Sequence, residues 1–348
     1  MRRRKLTLAV DTYLFTNCRN PSVKHTLCHM RIVFRADATP QIGAGHVMRL
    51  SAIAEEAISR GIDCFFVGEI RDVKWLETYV HDLGFSQILS PESISFVMST
   101  ETVLILDSYH IPVDDPSLKE GNWMSIVSIS DAQTPDYLAD LVVYPNLANV
   151  DSFLEDSRIL SGPRMIPLRK SMAGSESTEF SANPRILIFG GGTDQFGMAP
   201  RLANEIRQRF QYSQANFIYH DRSEIEFMDS RFKVFPFGNS LDSLLQHSDI
   251  VITSASTSSF EVMARGIPTG IIRIIGNQDQ NFETLTNSGL ASRIGLRSDA
   301  GIWDFFTQEL SLLIEDDDYR RSLSHASLEV FDFDGAARIL NRIAQIKK

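Results

Sequence analysis

Apolar residues fall in short runs along this chain, separated by polar stretches with helical spacing. From Met30 the runs are MRIVFRAD, DCFFVGEI, VLILDSY and ADLVVYPN, with a predicted helix from about His46 to Arg60 between the first two. Such runs, too continuously apolar to alternate in and out, fit strands of a parallel sheet covered by helices on both faces. The pattern pauses at KSMAGSESTEFSANP, residues 170–184, whose serines and few large apolar residues predict a linker. It then resumes. RILIFGGGTD predicts a strand and a glycine turn, Ala199 to Phe210 a helix, ANFIYH and RFKVFPF two strands, DIVITSAS another, and SSFEVMARG a helix closed by Gly266 and Pro268.

Both halves therefore open as strand, glycine loop, helix, with starts about 155 residues apart. The expected architecture is α/β: two Rossmann-like domains, residues 30–170 and 185–348, joined by 171–184 and facing each other across a cleft. Ligands of such sheets bind at the carboxyl ends of the strands. No internal repeat is close enough to indicate duplication. The end of the chain, from about Ile302, reads as helical, and its last helix is expected to pack back on the first domain.

Charge narrows the partners. The formal net charge is -10, yet residues 1–29 hold six Lys or Arg against one Asp, which leaves about -15 on the rest. That balance argues against a basic face for nucleic acid and favours a small-molecule ligand. Cys18, Cys28 and Cys64 form no disulfide framework and no metal-ligand spacing, so no metal and no cofactor is expected, and a reducing cytoplasm fits best. The start MRRRKLTLAVDTYLF has the basic end of a signal peptide, but Asp11 interrupts its apolar run and no small-residue cleavage site follows. No later run approaches the ~20 apolar residues of a membrane span. Residues 1–29 are expected to be a disordered extension, with a membrane-surface tether as the other reading. The protein is expected to be a monomer.

The candidate chemistry sits at the predicted strand ends. GGGTD, residues 190–194, brings backbone amides to a helix start, a setting that suits a diphosphate; it is neither a Walker loop nor a GxGxxG fingerprint. In SASTSSFE, residues 254–261, Ser256, Thr257 and Ser258 either cap a helix or receive phosphate oxygens. Glu261 either serves the helix dipole or accepts hydrogen bonds from two ribose hydroxyls. In the first half His46 follows two glycines. It is a surface residue opening a helix, or a base kept neutral near pH 7 by the helix N-terminus. Asp37 holds the loop or orients His46, and Tyr109 packs at a sheet edge or reaches the cleft. His110 and His247 read as structural, and EDDDYRR, residues 315–321, as a solvated surface.

Together, FRADATPQIGAGHVMR, ILDSYHI, ADLVVYPNLA, IFGGGTD, SASTSSFE and GNQDQN resemble, in order and spacing, the UDP-sugar hydrolases of pseudaminic acid biosynthesis. These are relatives of the GT-B glycosyltransferases of the MurG type. The likeness covers nearly everything from Met30, and its most specific element is Gly43, Gly45, His46 and Arg49. It implies hydrolysis of a UDP-2,4-diacetamido-2,4,6-trideoxyhexose-like nucleotide sugar, with His46 activating water for attack on the anomeric carbon, UDP leaving with inversion, and Tyr109 beside it. It also implies substrate binding by Gly191, Gly192, Thr193, Asp194 and Glu261, and by Asn277 and Gln278 on the sugar side. The chain departs from the family at Asp107-Ser108-Tyr109-His110, at Ser130-Asp131 and at Met165-Ile166-Pro167-Leu168-Arg169-Lys170. All three lie on the sugar side. A GT-B glycosyltransferase and a nonenzymatic sugar-nucleotide sensor remain open beside the hydrolase, and the presence of His46 speaks against the sensor.

Overall fold

The computed structural model describes residues 30–131, 138–147, 157–174, 183–192, 194, 196–210, 213–219, 230–236 and 241–346. The N-terminal extension, Thr193 and most of the linker lie outside them. In the first half the order is β1 (Arg31–Arg35), α1 (Gly45–Ser59), β2 (Asp63–Val67), α2 (Lys74–Asp82), β3 (Gln87–Leu89), β4 (Thr102–Leu106), α3 (Pro116–Lys119), β5 (Ser125–Ile129), β6 (Leu141–Tyr144) and β7 (Ile159–Ser161). These strands form one sheet in the order β3-β2-β1-β4-β5-β6-β7, every pairing parallel.

The second half repeats the plan with β8 (Arg185–Phe189), α4 (Met198–Arg209), β9 (Gln214–Ile218), β10 (Phe232–Phe235), α5 (Leu241–Gln246), β11 (Ile250–Ser254), α6 (Thr257–Ala264), β12 (Thr269–Arg273), α7 (Asp279–Asn287), β13 (Ser292–Arg297) and β14 (Trp303–Phe305). Its sheet runs β10-β9-β8-β11-β12-β13-β14. Here only the β13–β14 pair at the edge is antiparallel. Three helices close the chain: α8 (Thr307–Glu315), α9 (Asp317–Val330) and α10 (Gly335–Ile343).

Continuous apolar runs became central strands because both sheet faces are covered; Ile32, Val33 and Phe34 are all fully buried. Ile32 and Phe34 belong to the cluster under α1, and Val33 to the cluster on the opposite face with Leu104 and Leu106. The strands that the apolar pattern did not announce lie toward the edges or are diluted by small and polar residues, as in SIVSI of β5 and SRIGLR of β13. The helical reading from Ile302 onward misses the short strand β14, whose backbone pairs with β13.

The last helix returns to the first half. Ala336, Ile339, Leu340 and Ile343 of α10 are buried in the same cluster as Val47, Leu50 and Ala54 of α1. At about 1.5–3 kcal/mol for each large side chain buried, this face holds α10 to a sheet remote from it in sequence. The connector is fastened to the same place: Ser171 N donates to Glu55 (3.0 Å), and Lys170 Nζ lies 2.9 Å from the Glu56 carboxylate.

In each sheet the chain order reverses between two central strands, β1 and β4 in the first and β8 and β11 in the second. The loops after such a pair diverge and leave a crevice at the carboxyl ends. The two crevices face each other.

Candidate active site

A cleft of about 590 Å³ lies between the halves, lined by Gly43, Gly45, His46, Arg49 and Tyr109 on one side and by Gly191, Gly192, Ser256, Thr257, Ser258, Glu261, Asn277 and Gln278 on the other. Each side is built at its own switch point: residues 43–49 follow β1 and Tyr109 follows β4, while Gly191 follows β8 and Ser256 follows β11. Gly43 and Gly191 turn the chain there with φ of +82° and +84°, a left-handed conformation that costs glycine little.

His46 is the second residue of α1 and is 6% exposed. Burial pushes its pKa below 6.5, with Arg49 and His110 acting the same way, against the raising effect of Asp107 and Asp131. The imidazole therefore rests neutral at pH 7, the state a proton acceptor needs. Its ring meets the Tyr109 ring edge-on, with centroids 4.3 Å apart at 87°. The Tyr109 hydroxyl donates to Asp131 Oδ2 at 2.7 Å. Burial, and then that hydrogen bond, raise the phenol's pKa well above its ordinary value and keep it protonated.

Asp107, fully buried directly after β4, stands 4.0 Å from His46 Nδ1. It accepts two hydrogen bonds from Arg49, 2.8 Å from Nε and 2.7 Å from Nη2. Arg49 Nη1 is also 3.5 Å from Asp131. Burial works against the Arg49 charge, but Asp107 more than compensates and raises its pKa. Five side chains from three strand ends thus form one network, with the imidazole at its cleft edge.

Across the cleft the amides of Thr257 and Ser258 open α6, where a helix has no intrahelical acceptor for its N–H groups and carries partial positive charge. Ser254 and Ser256 share a hydroxyl contact of 2.9 Å beside them. Gln278 Oε1 accepts from Ile274 N at 2.9 Å, which fixes the turn that holds Asn277 in the cleft.

Several expected residues have other work. Asp37 does not line the cleft: its carboxylate accepts from Arg35 Nη1 (2.6 Å) and Glu69 N (2.8 Å), so it braces the end of β1. Asp107 occupies the place beside His46. Asp194 is turned inward, 4% exposed, and accepts from Met198 N (2.8 Å) and Ala199 N (3.0 Å) at the start of α4. Arg49 lines the cleft with its guanidinium committed to Asp107. Glu261 also lines it, but both its oxygens are held by Arg169, at 2.7 and 2.6 Å. Thr193 lies outside the described residues. Asp107, Asp131, Arg169, Trp75 and Tyr79 received no role from the sequence. A lone acid closing an apolar run, as in LILD, was the available signal for Asp107; an i, i+4 aromatic pair in KWLETYV was that for Trp75 and Tyr79.

Among the described residues no helix is long and apolar enough to cross a membrane, and no group of three or more His, Cys, Asp or Glu is placed to hold a metal ion.

No protein-family profile matches the chain. Among curated proteins, it is 22% identical over 271 residues to the UDP-2,4-diacetamido-2,4,6-trideoxy-beta-L-altropyranose hydrolase of Campylobacter jejuni, a match covering 75% of this chain and 97% of that enzyme. It is 21% identical over 273 residues to an uncharacterised protein of Methanocaldococcus jannaschii, covering 70% of this chain but 55% of that longer protein. Among solved structures, the calicheamicin glycosyltransferase superposes with a TM-score of 0.62 at 12% identity, over 90% of this chain and 97% of that one. The chain has the two-domain α/β fold of the GT-B glycosyltransferases.

Proposed function

We propose that this protein is a nucleotide-sugar hydrolase that cleaves a UDP-linked 2,4-diacetamido-2,4,6-trideoxyhexose-like substrate into UDP and free sugar, acting as a cytoplasmic monomer in nonulosonic acid or surface-polysaccharide synthesis. The observation that carries the reading is a buried neutral imidazole, His46, facing two amide-rich turns across the cleft. The C. jejuni relative, whose name states this chemistry, supports the substrate class.

In the proposed reaction, water attacks the anomeric carbon while His46 takes its proton, and the bond from that carbon to the diphosphate oxygen breaks with its electron pair going to UDP. The amides of Gly191, Gly192, Thr257 and Ser258 offset the charge that develops on the leaving group. Asp107 and Asp131 favour the imidazolium that forms. Tyr109, held protonated, keeps the imidazole ring in place. Asn277 and Gln278 face the sugar.

The fold shared with glycosyltransferases sustains one second reading, transfer of the sugar to an acceptor hydroxyl instead of water. Nucleotide release from a panel of UDP-, dTDP- and CMP-sugars, with no acceptor added, tests the hydrolase. Multiple turnovers with a UDP-sugar are expected; release only on addition of an acceptor would establish the transferase, and no release from any sugar nucleotide would refute both.

A further inference from the structure

Helix α2 belongs to the first half, yet one of its faces looks into the nucleotide side of the cleft. Trp75, Tyr79 and Asp82 line the cleft, as does Leu83 just beyond the helix. They sit at the i, i+4, i+7, i+8 spacing of a helical stripe. Leu76 and Val80 are turned to the core. Trp75 reaches furthest: its indole Nε1–H donates to the carbonyl oxygen of Gly192 at 3.0 Å, a hydrogen bond across the cleft between residues 117 positions apart.

The contact is close on both sides of that bond. A Cβ placed on Gly192 would come within 3.0 Å of the Ala44 Cβ and 3.2 Å of the Trp75 ring. Ala44 immediately precedes α1 and lies two residues before His46. The glycine turn after β8 therefore touches both α2 and the catalytic loop after β1. One turn along the stripe, the Arg169 guanidinium lies 5.6 Å from the centroid of the Tyr79 ring, while its Nε and Nη2 hold Glu261. The stripe thus meets the second half directly at the glycine turn, and reaches Glu261 of α6 through Arg169.

A turn that receives an anion does so with amides, and a carbonyl facing the anion would repel it. Trp75 takes up the Gly192 carbonyl on the side of the first half. We propose that Trp75 is a positioning residue for the diphosphate of the substrate: by holding that carbonyl from across the cleft, it fixes the glycine turn in its anion-receiving orientation and makes diphosphate binding and closure of the two halves a single event. Reciprocity then requires that whatever favours closure tightens diphosphate binding by the same factor. The inference rests on the nucleotide-sugar reading above and adds to it which residue of the first half senses the ligand of the second.

The test uses Trp75→Phe, which keeps an aromatic ring against Ala44 and Gly192 and removes the N–H, and Gly192→Ala, which wedges the two loops apart. Both are compared with the unaltered chain for binding of UDP, inorganic pyrophosphate and uridine by calorimetry, for melting temperature and for tryptophan emission. Loss of one neutral hydrogen bond predicts UDP and pyrophosphate affinities lowered about 5- to 10-fold in Trp75→Phe, with uridine affinity unchanged. The change in tryptophan emission on adding UDP should be present in the unaltered chain and lost in Trp75→Phe. Gly192→Ala should reproduce the selective loss for the two phosphate ligands. Unchanged UDP affinity in Trp75→Phe, or an equal loss for uridine, would overturn the proposal. A lowered melting temperature with no phosphate-selective effect would also overturn it, by reducing Trp75 to a packing residue. These outcomes separate from the failure of the functional reading: Trp75-dependent pyrophosphate binding in a protein that turns over no sugar nucleotide would leave the positioning role standing and remove the hydrolase.

Discussion

Arg49 and Asp107, 58 residues apart, meet through two hydrogen bonds of 2.8 and 2.7 Å in a pair that seals the bottom of the cleft beneath His46. The Asp107 side chain is fully buried and that of Arg49 is 12% exposed. A pair of this kind gains little over an apolar substitute, but breaking it leaves an unpaired buried charge. Asp107→Ala is therefore expected to destabilise the fold by about 3–5 kcal/mol, read as a lower denaturant midpoint at unchanged slope. A loss under about 1 kcal/mol would mean that Arg49 finds water or Asp131 as an adequate substitute.

The same pair bears on catalysis through His46. Only the neutral imidazole accepts a proton, and burial lowers its pKa from 6.5. Activity should therefore rise with pH through a midpoint below 6.5 and stay level across neutrality. His46→Ala should lose turnover by roughly 10²- to 10⁴-fold while UDP affinity is retained, the range for removal of a general base. A pH–rate midpoint above 7, or near-normal turnover in His46→Ala, would remove His46 from the mechanism.

The fold was legible because its signals are local. An apolar run such as RIVFR marks a strand buried on both faces, and a glycine turn before a helical pattern marks the switch-point loop. His46, Gly191 and Ser256 fell where those rules put them, at the ends of β1, β8 and β11. What stayed hidden depends on pairing across the fold. Nothing near Asp37 in sequence distinguishes it from Asp107 as the partner of His46; the choice is made by β1 and β4 lying side by side, which carries Asp107 under α1 and leaves Asp37 to Arg35 and the Glu69 amide. Glu261 shows the same limit: the local pattern put it in the opening turn of a helix, whereas α6 begins at Thr257 and has no acid in its first turn, and its pairing with Arg169, 92 residues away, has no local signal.

Asp37 offers a direct check of that distinction. Asp37→Ala loses the bonds to Arg35 and to Glu69 N, a cost of about 1–2 kcal/mol, but no group near the imidazole. The expected result is a modestly lower melting temperature with kcat within about 3-fold of normal, since small losses away from the chemistry leave transition-state contacts intact. A hundredfold fall in kcat with normal stability would return Asp37 to the catalytic set.

Glu261 now carries two consequences that one variant can separate. Glu261→Gln keeps the shape and one acceptor oxygen but leaves Arg169, 12% exposed, without its charged partner. Stability should fall, because the hydrogen bonds to a buried charge are the costly ones to lose, at about 1.5–3 kcal/mol. If Glu261 also accepts the ribose hydroxyls, UDP binding by calorimetry should weaken while pyrophosphate binding does not. Destabilisation with an unaltered UDP dissociation constant would confine Glu261 to holding Arg169.

The decision between hydrolase and transferase turns on which nucleophile the imidazole serves. Given the right UDP-sugar and no acceptor, the protein should release UDP and free sugar in equal amounts over many turnovers, with EDTA present, because one base and a set of amides suffice for a leaving group as good as UDP. In water enriched in oxygen-18 the label should appear on the anomeric carbon of the sugar and not in UDP. The geometry sets that expectation: His46 sits at the carboxyl end of the first sheet, across the cleft from the amides of Gly191 and Thr257, so a water it activates approaches the sugar carbon from the side opposite the diphosphate. Label in UDP would place the attack at phosphorus and contradict the assigned role of both loops. Turnover that begins only when an alcohol is added would keep both loops and replace water by the acceptor hydroxyl, moving the protein to the glycosyltransferases whose fold it shares.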